Sequence, residues 1–433
     1  MRWRDTIAQL LPAHARESGI VFTGDVLSKF LTFVITMLLM KLVTPSEYAL
    51  YGVFIAVLAT VNQFTDSGLQ TSLIRFQALY QNLDPERASS HLRFAWNVKW
   101  IVLLGTGTAM LLLARPLAFD AFQNAALEYP FRLLSFGIIG NGLYEFMQAV
   151  FIARQKFGTL SVLRISEGGG KLLFILASLA VGSFSLDTVF IAYVVVPGII
   201  GLVGVFLARR LWVRMANNWR VIGREIFGFG KWMMLSSFAT MLLIRLDIFV
   251  LGPMLHDRPD EIGLYSAAVR LCTPLMVLTG SVATLFLPKA LGLRSMAEMR
   301  SYIRRSLQVT IPLIALCGVY AIAVCIAIPA YFPKYASAIP YFLVLFVGYA
   351  WTIVGNPLTT LVLSINRAHV VTIISIAQLF LTTASHYCFI GWIGAMGAAV
   401  STVLMWFLAG GVSLWYLFLH RHEIETSGGS VAP

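Results

Sequence analysis

Apolar positions in this chain come in long uninterrupted blocks, with polar residues gathered into short separators instead of alternating with them. The blocks lie near 19–41, 47–73, 93–114, 128–153, 159–182, 187–209, 228–255, 261–288, 302–329, 336–364, 369–391 and 394–419. A bilayer core about 30 Å thick is crossed by roughly 20 residues of helix. Each block therefore predicts one membrane-spanning helix, about twelve in all. A membrane β-barrel would instead show ten-residue segments of alternating polarity. The pattern is that of an all-α integral membrane protein.

The separators carry a repeat. EYALYG, from Glu47 to Gly52, returns 214 residues later as EIGLYS, from Glu261 to Ser266, and both open an apolar block. At nearly the same offset FIARQKF, from Phe151 to Phe157, faces SINRAHV, from Ser364 to Val370, with Arg154 against Arg367. An internal repeat of half the chain predicts two pseudo-symmetric six-helix lobes, the usual build of a transporter whose site lies at a central cavity between repeats. The expected divisions are a cytoplasmic segment at 1–18, an N-lobe at 19–215, a basic connection at 216–231, a C-lobe at 232–419 whose first helix starts near 228, and a tail at 420–433.

Composition agrees with the pattern. With 58% hydrophobic and 12% charged residues, and a mean hydropathy of +0.79, the chain has too little polar surface to cover a water-soluble globule of its size. The net charge of +12 follows from topology, not from a nucleic-acid surface. Separators on the side of the N-terminus hold 22 Lys or Arg, whereas the opposite ones hold four, Lys41, Arg115, Arg258 and Lys334. That asymmetry places both termini in the cytoplasm. The most basic connection, RRLWVRMANNWRVIGREIFGFGK from Arg209 to Lys231, puts Trp212 and Trp219 at headgroup level and reads as a topology-setting loop or an interfacial segment.

Several chemistries lack their signatures. The first 18 residues are mixed and charged, unlike a cleavable signal. Cys272, Cys317, Cys325 and Cys388 sit in apolar blocks without metal spacing and read as small packing residues. Gly168-Gly169-Gly170 before Lys171 follows no strand and is no phosphate loop; it reads as a closely packed or flexible piece of membrane helix. The longest outside connection, 115–129, leaves no room for a catalytic domain, and neither an enzyme activity, a cofactor nor a metal is expected.

The turn LVTPSEYALYG, the run ending FTDSGLQTSLIRF, and DIFVLGPML followed by EIGLYSAAVRL resemble the polysaccharide (Wzx-type oligosaccharide) flippases of the multidrug/oligosaccharidyl-lipid/polysaccharide exporter superfamily. The resemblance covers about 19–419. It implies two six-helix lobes around a central cavity, and movement of a polyprenyl-diphosphate-linked oligosaccharide from the inner to the outer leaflet of the bacterial cytoplasmic membrane. Glycosyltransferases and a polymerase of the same pathway are the implied partners, beside membrane lipids; no nucleic acid is.

Charges inside the blocks mark the candidate site, because an ionisable group near the bilayer centre costs about 2.5–3.5 kcal/mol on insertion scales and normally faces a cavity or a partner. They are Asp25, Lys29, Asp66, Lys99, Glu145, Glu167, Lys171, Arg245, Asp247 and Arg270. Asp25 with Lys29 and Glu167 with Lys171 are spaced to pair on one helix face. Asp66 in TDSG reads as a helix cap as readily as a ligand, and Lys99 as a snorkelling residue. A diphosphate suits Lys and Arg, which points to Lys29, Lys171, Arg245 and Arg270. Sugars suit amides and aromatic side chains, which points to Asn62, Asn141, Tyr144 and Gln148, although such residues also join helices. Asp25 is the candidate for binding a coupling proton or cation. Two further readings stay open: a cation-coupled exporter of small amphipathic compounds, and a non-transporting membrane protein of polysaccharide assembly.

Overall fold

The computed structural model describes residues 13–66, 68–81, 83–209, 219–291, 296–359, 361 and 368–419. Fourteen α-helices occur among them: α1 Ala13–Leu42, α2 Pro45–Asp66, α3 Leu69–Tyr80, α4 Pro85–Pro116, α5 Glu128–Ala153, α6 Phe157–Ala180, α7 Leu186–Leu207, α8 Trp219–Met254, α9 Pro259–Leu271, α10 Thr273–Leu291, α11 Met296–Tyr331, α12 Ile339–Thr359, α13 Ala368–Ile393 and α14 Ala395–Leu419. No strand occurs among the described residues. Nine spans among them are both long and apolar enough to cross a membrane. α6, α8 and α13, of 24, 36 and 26 residues, have the length for three more. The protein is an all-α membrane protein of about twelve transmembrane helices in two lobes. Arg367, Trp212 and the tail from 420 lie outside the described residues.

Fourteen helices make twelve spans because two of the expected blocks are broken. The second breaks at Gly68, whose φ of 66° lies in the left-handed region open to glycine; Asp66 Oδ1 accepts from Gln70 N at 3.1 Å and starts α3. The eighth breaks at Cys272 because Pro274 has no N–H to continue the ladder. Leu275 N turns to Cys272 O at 3.0 Å, and the Leu271 carbonyl is taken by the Tyr320 hydroxyl at 2.8 Å.

Helix starts follow local chemistry. At α2, Glu47 N binds Thr44 Oγ1 at 3.3 Å while Thr44 N binds Glu47 Oε2 at 2.7 Å, a complete capping box. Pro45 takes the first helical position, where a missing N–H costs nothing. The repeat keeps the proline and the glutamate at α9 but not the capping box: Pro259 is first in the helix, and Glu261 accepts from Arg258 Nη1 at 3.1 Å and Ala395 N at 3.3 Å. The echoed motif is thus a helix start.

Chain contacts divide the protein into a unit of Met1–Ile35 with Phe54–Met241 and a unit of Thr36–Val53 with Leu242–Pro433. The first has a core of Leu69, Leu73 and Phe76 from α3, Leu92 and Ala95 from α4, and Phe146, Met147, Val150 and Phe151 from α5. Ile222 and Ile226 bring the start of α8 into this core. Glu225 fastens it, ion-paired to Arg87 and 2.8 Å from the buried ring nitrogen Nε2 of His91. In the second unit the repeated motifs meet: a side chain on Gly52 would collide with Ser266 Oγ, and one on Gly263 with the Pro45 carbonyl.

Candidate functional site

The first unit holds a cavity of about 380 Å³ lined by five helices, three of which, α1, α5 and α6, turn polar faces to it. α1 contributes Asp25, Ser28, Lys29 and Thr32, at the spacing that stacks residues on one side of a helix. α2 gives Asn62, α5 gives Tyr144, Glu145 and Gln148, and α6 gives Arg164, Glu167 and Lys171. Tyr193 of α7 completes the wall.

Most of its charges are engaged. Arg164 donates through Nε to Gln148 Oε1 at 2.8 Å and lies 3.5 Å from Asp25 Oδ1. The partner of Asp25 is therefore Arg164 on another helix, and not Lys29 one turn along its own. Lys171 pairs with Glu167 and stands 4.1 Å from the centre of the Tyr193 ring, a cation over an aromatic face. Asn62 is buried, and its Oδ1 has no hydrogen-bond partner among the described residues. The cavity thus combines three carboxylates, Asp25, Glu145 and Glu167, with three cations, Lys29, Arg164 and Lys171. Such a set can take up a proton or a cation by exchanging partners without leaving a charge bare.

Glycines let these helices close on one another. The α6 triplet packs on both sides: a side chain on Gly168 would meet Leu31 Cβ at 3.2 Å, and one on Gly170 would meet Val196 Cγ1 at 2.8 Å. α5 and α7 meet at Gly140, Gly198 and Gly201, where a side chain on Gly201 would press on Tyr144 N at 2.9 Å. Pro197 deprives the Tyr193 carbonyl of its helical donor. Asn141 supplies another, with Nδ2 3.0 Å from Tyr193 O and 2.9 Å from Gly137 O. Its amide is used in joining α5 to α7.

Lys99 is 1% exposed and does not snorkel. Its ammonium donates to Thr65 O at 3.0 Å and Thr65 Oγ1 at 3.3 Å, at the carbonyl end of α2 beside the Gly68 break. A cation there also complements the helix dipole.

Arg245 and Arg270 lie in the second unit, within electrostatic reach of each other and of Asp247, Tyr51 and Tyr349. Asp247 is buried and held by the Tyr265 hydroxyl at 2.7 Å and by Ile248 N at 2.8 Å. The Arg270 guanidinium stands 5.7 Å from the Tyr51 ring centre. The Nε of Arg245 is buried with no hydrogen-bond partner among the described residues.

Of the residues singled out from the sequence, Asp25, Lys29, Asn62, Tyr144, Glu145, Gln148, Glu167 and Lys171 share the cavity of the first unit. Asn141 lies beside them at the α5–α7 contact, and Arg245 and Arg270 form a separate group. The sequence reading missed Ser28, Thr32, Tyr193 and Arg164 of this cavity; Arg164 was counted among the topology-setting charges. Its signal was the stripe Arg164, Glu167, Lys171, spaced to lie on one helix face. Among the described residues no group of three or more His, Cys, Asp or Glu is placed to hold a metal ion.

Fold and polar cavity define a class: an all-α, multi-pass membrane protein with charged groups enclosed among its spanning helices. The family profile described as polysaccharide biosynthesis protein matches residues 38–330. The chain belongs to that family, as the resemblance to polysaccharide flippases implies. Solved structures give the same fold. The lipid II flippase MurJ in an inward closed conformation aligns with a TM-score of 0.71 at 12% identity, over 94% of this chain and 90% of that one. An inward-facing multidrug resistance MATE family transporter of the MOP superfamily aligns at 0.66 and 14%, over 94% and 96%. A MOP superfamily transporter from Pyrococcus furiosus aligns at 0.62 and 14%, over 95% and 96%. At these identities the likeness is one of fold. No curated protein sequence matches the chain.

Proposed function

We propose that the protein is a flippase that carries a polyprenyl-diphosphate-linked oligosaccharide from the cytoplasmic to the outer leaflet of the bacterial inner membrane. Both termini lie in the cytoplasm, and the substrate serves assembly of an O-antigen, capsule or exopolysaccharide. The lobes at 19–215 and 232–419, joined by 216–231, alternate access to the two sides. Arg245, Arg270, Lys29 and Lys171 attract the diphosphate, and Asn62, Tyr144 and Gln148 offer hydrogen bonds and ring faces to the sugars, as Asn141 does if it leaves the Tyr193 carbonyl during the cycle. Glycosyltransferases and a polymerase supply and consume the substrate.

One observation carries the choice of an anionic headgroup: four of the five membrane carboxylates are engaged, Glu145 being the exception among the described residues, while a buried arginine is not fully so. Asp25, Glu167, Asp247 and Asp66 each have a protein partner, whereas the buried Arg245 Nε has none among the described residues. A buried donor of that kind costs about 1–3 kcal/mol when unmet, and a phosphate oxygen would meet it. In cells lacking the chromosomal copy, Arg245→Gln and Arg270→Gln should each impair glycan export at unchanged protein level. Full export by both single variants and by the double variant would remove them from the site.

Asp25 is the proposed coupling residue. Protonation or cation binding there releases Arg164 toward the diphosphate, beside Lys29 on the same side of α1. Each elementary charge moved across 100 mV is worth about 2.3 kcal/mol, enough to bias such a cycle. The second reading, a cation-coupled exporter of amphipathic compounds, draws on Glu145, a cavity carboxylate with no ion-pair partner among the described residues. Export of cationic dyes by the wild type, with no effect on glycan, would favour it.

A further inference from the structure

α11 is 36 residues long, about 54 Å at 1.5 Å per residue, and so it overshoots a hydrocarbon core of about 30 Å. Its first turns carry the excess. Arg300, Arg304 and Gln308 follow one another at four-residue steps, and Ile303, Leu307 and Ile311 form a parallel row. Between the rows lies an open groove of about 600 Å³, polar at one end and apolar along the rest. Both arginines and Gln308 are exposed, and Ile311 is 58% exposed. Among the described residues neither guanidinium has an ion-pair partner. Side chains four apart on a helix sit about 5–6 Å from each other, which lets two arginines grip one phosphate.

We propose that this groove binds an anionic phospholipid of the surrounding membrane. Its phosphate is held between Arg300 and Arg304, its glycerol hydroxyls lie near Gln308, and an acyl chain follows Ile303, Leu307 and Ile311. Among its described lining residues the groove has one amide and no aromatic side chain to receive sugars, which favours a small phosphate headgroup over a diphospho-oligosaccharide. A comparable groove on α14, lined by Leu404, Phe407, Leu408, Gly411, Val412 and Trp415, has no charge among its described residues. The site stands independently of what the protein transports.

The test is native mass spectrometry of the full chain in mild detergent, titrated with phosphatidylglycerol, phosphatidylcholine or undecaprenyl diphosphate. An arginine that meets the phosphate in the groove should contribute about 1 kcal/mol, about fivefold in affinity. Arg300→Gln/Arg304→Gln should therefore bind phosphatidylglycerol about thirtyfold more weakly. Arg305→Gln, next in the helix but outside the groove, should stay within about twofold of the wild type. Ile311→Trp, which fills the groove and leaves both arginines in place, should weaken binding as well. Equal loss in Arg305→Gln, equal binding of phosphatidylcholine, or unchanged binding in Ile311→Trp would overturn the site. Displacement of phosphatidylglycerol by equimolar undecaprenyl diphosphate would overturn the choice of occupant.

Discussion

Asn141 shows what single residues conceal in a membrane sequence. An asparagine among apolar neighbours reads equally as a ligand for sugar or as a joint between helices, and only the partner decides. Here the partner is the Tyr193 carbonyl, left without a donor by Pro197. Asn141→Ala should lower stability by about 1 kcal/mol, the scale of interhelical hydrogen bonds in membranes. Pro197→Ala restores the backbone donor, so Asn141→Ala should cost little in that background. Unfolding of the four proteins in detergent gives the cycle; additive effects would show that the two residues do not act on one carbonyl. Lys99 hid its role in the same way, because a cap is a relation between a side chain and a backbone break that residue types do not announce, whereas the cap at Asp66 was one of its two readings. The cavity residues of α1 and α6 were easier to find, since charges in apolar blocks stand out by cost alone.

Among elements, the long apolar runs were legible because a helix is the simplest way to satisfy every backbone group in lipid. The breaks at Gly68 and Cys272 were not: the first falls at the polar TDSG inside a block read as one span, and the second interrupts an apolar run without a polar stretch. The starts of α4 at Pro85 and α8 at Trp219 were placed too late for the opposite reason: their first turns are polar and extend beyond the apolar block. Close helix approach leaves a fainter trace, in glycines whose neighbours are far away in sequence. Gly201→Ala should destabilise by about 1–3 kcal/mol, the usual cost of overpacking, because its new methyl would press on the α5 backbone at Tyr144. Gly105 on α4 has nothing within 4 Å of such a methyl, so Gly105→Ala should be neutral or slightly stabilising. Thermal unfolding compares them, and equal melting temperatures would contradict the close α5–α7 approach.

At the scale of the whole molecule, the repeat and the charge asymmetry were read from sequence because both are sums over many residues. The repeat corresponds to a physical feature, the paired helix starts at Pro45 and Pro259 with their glutamates. The partner of Asp25 could not be read, because Arg164 lies 139 residues away and only folding brings it near. The central claim is that this polar cavity couples an ion gradient to lipid-linked glycan movement, with Asp25 as the point of coupling. Proteoliposomes loaded with a fluorescent polyprenyl-diphosphate-linked oligosaccharide test it most directly, scored by a membrane-impermeant quencher under imposed proton or sodium gradients. The wild type should move the glycan faster with a gradient than without one, and Asp25→Asn should retain a slow rate that no gradient changes. Transport by Asp25→Asn with the full gradient dependence of the wild type, or no movement of the glycan above empty liposomes by the wild type, would contradict the account.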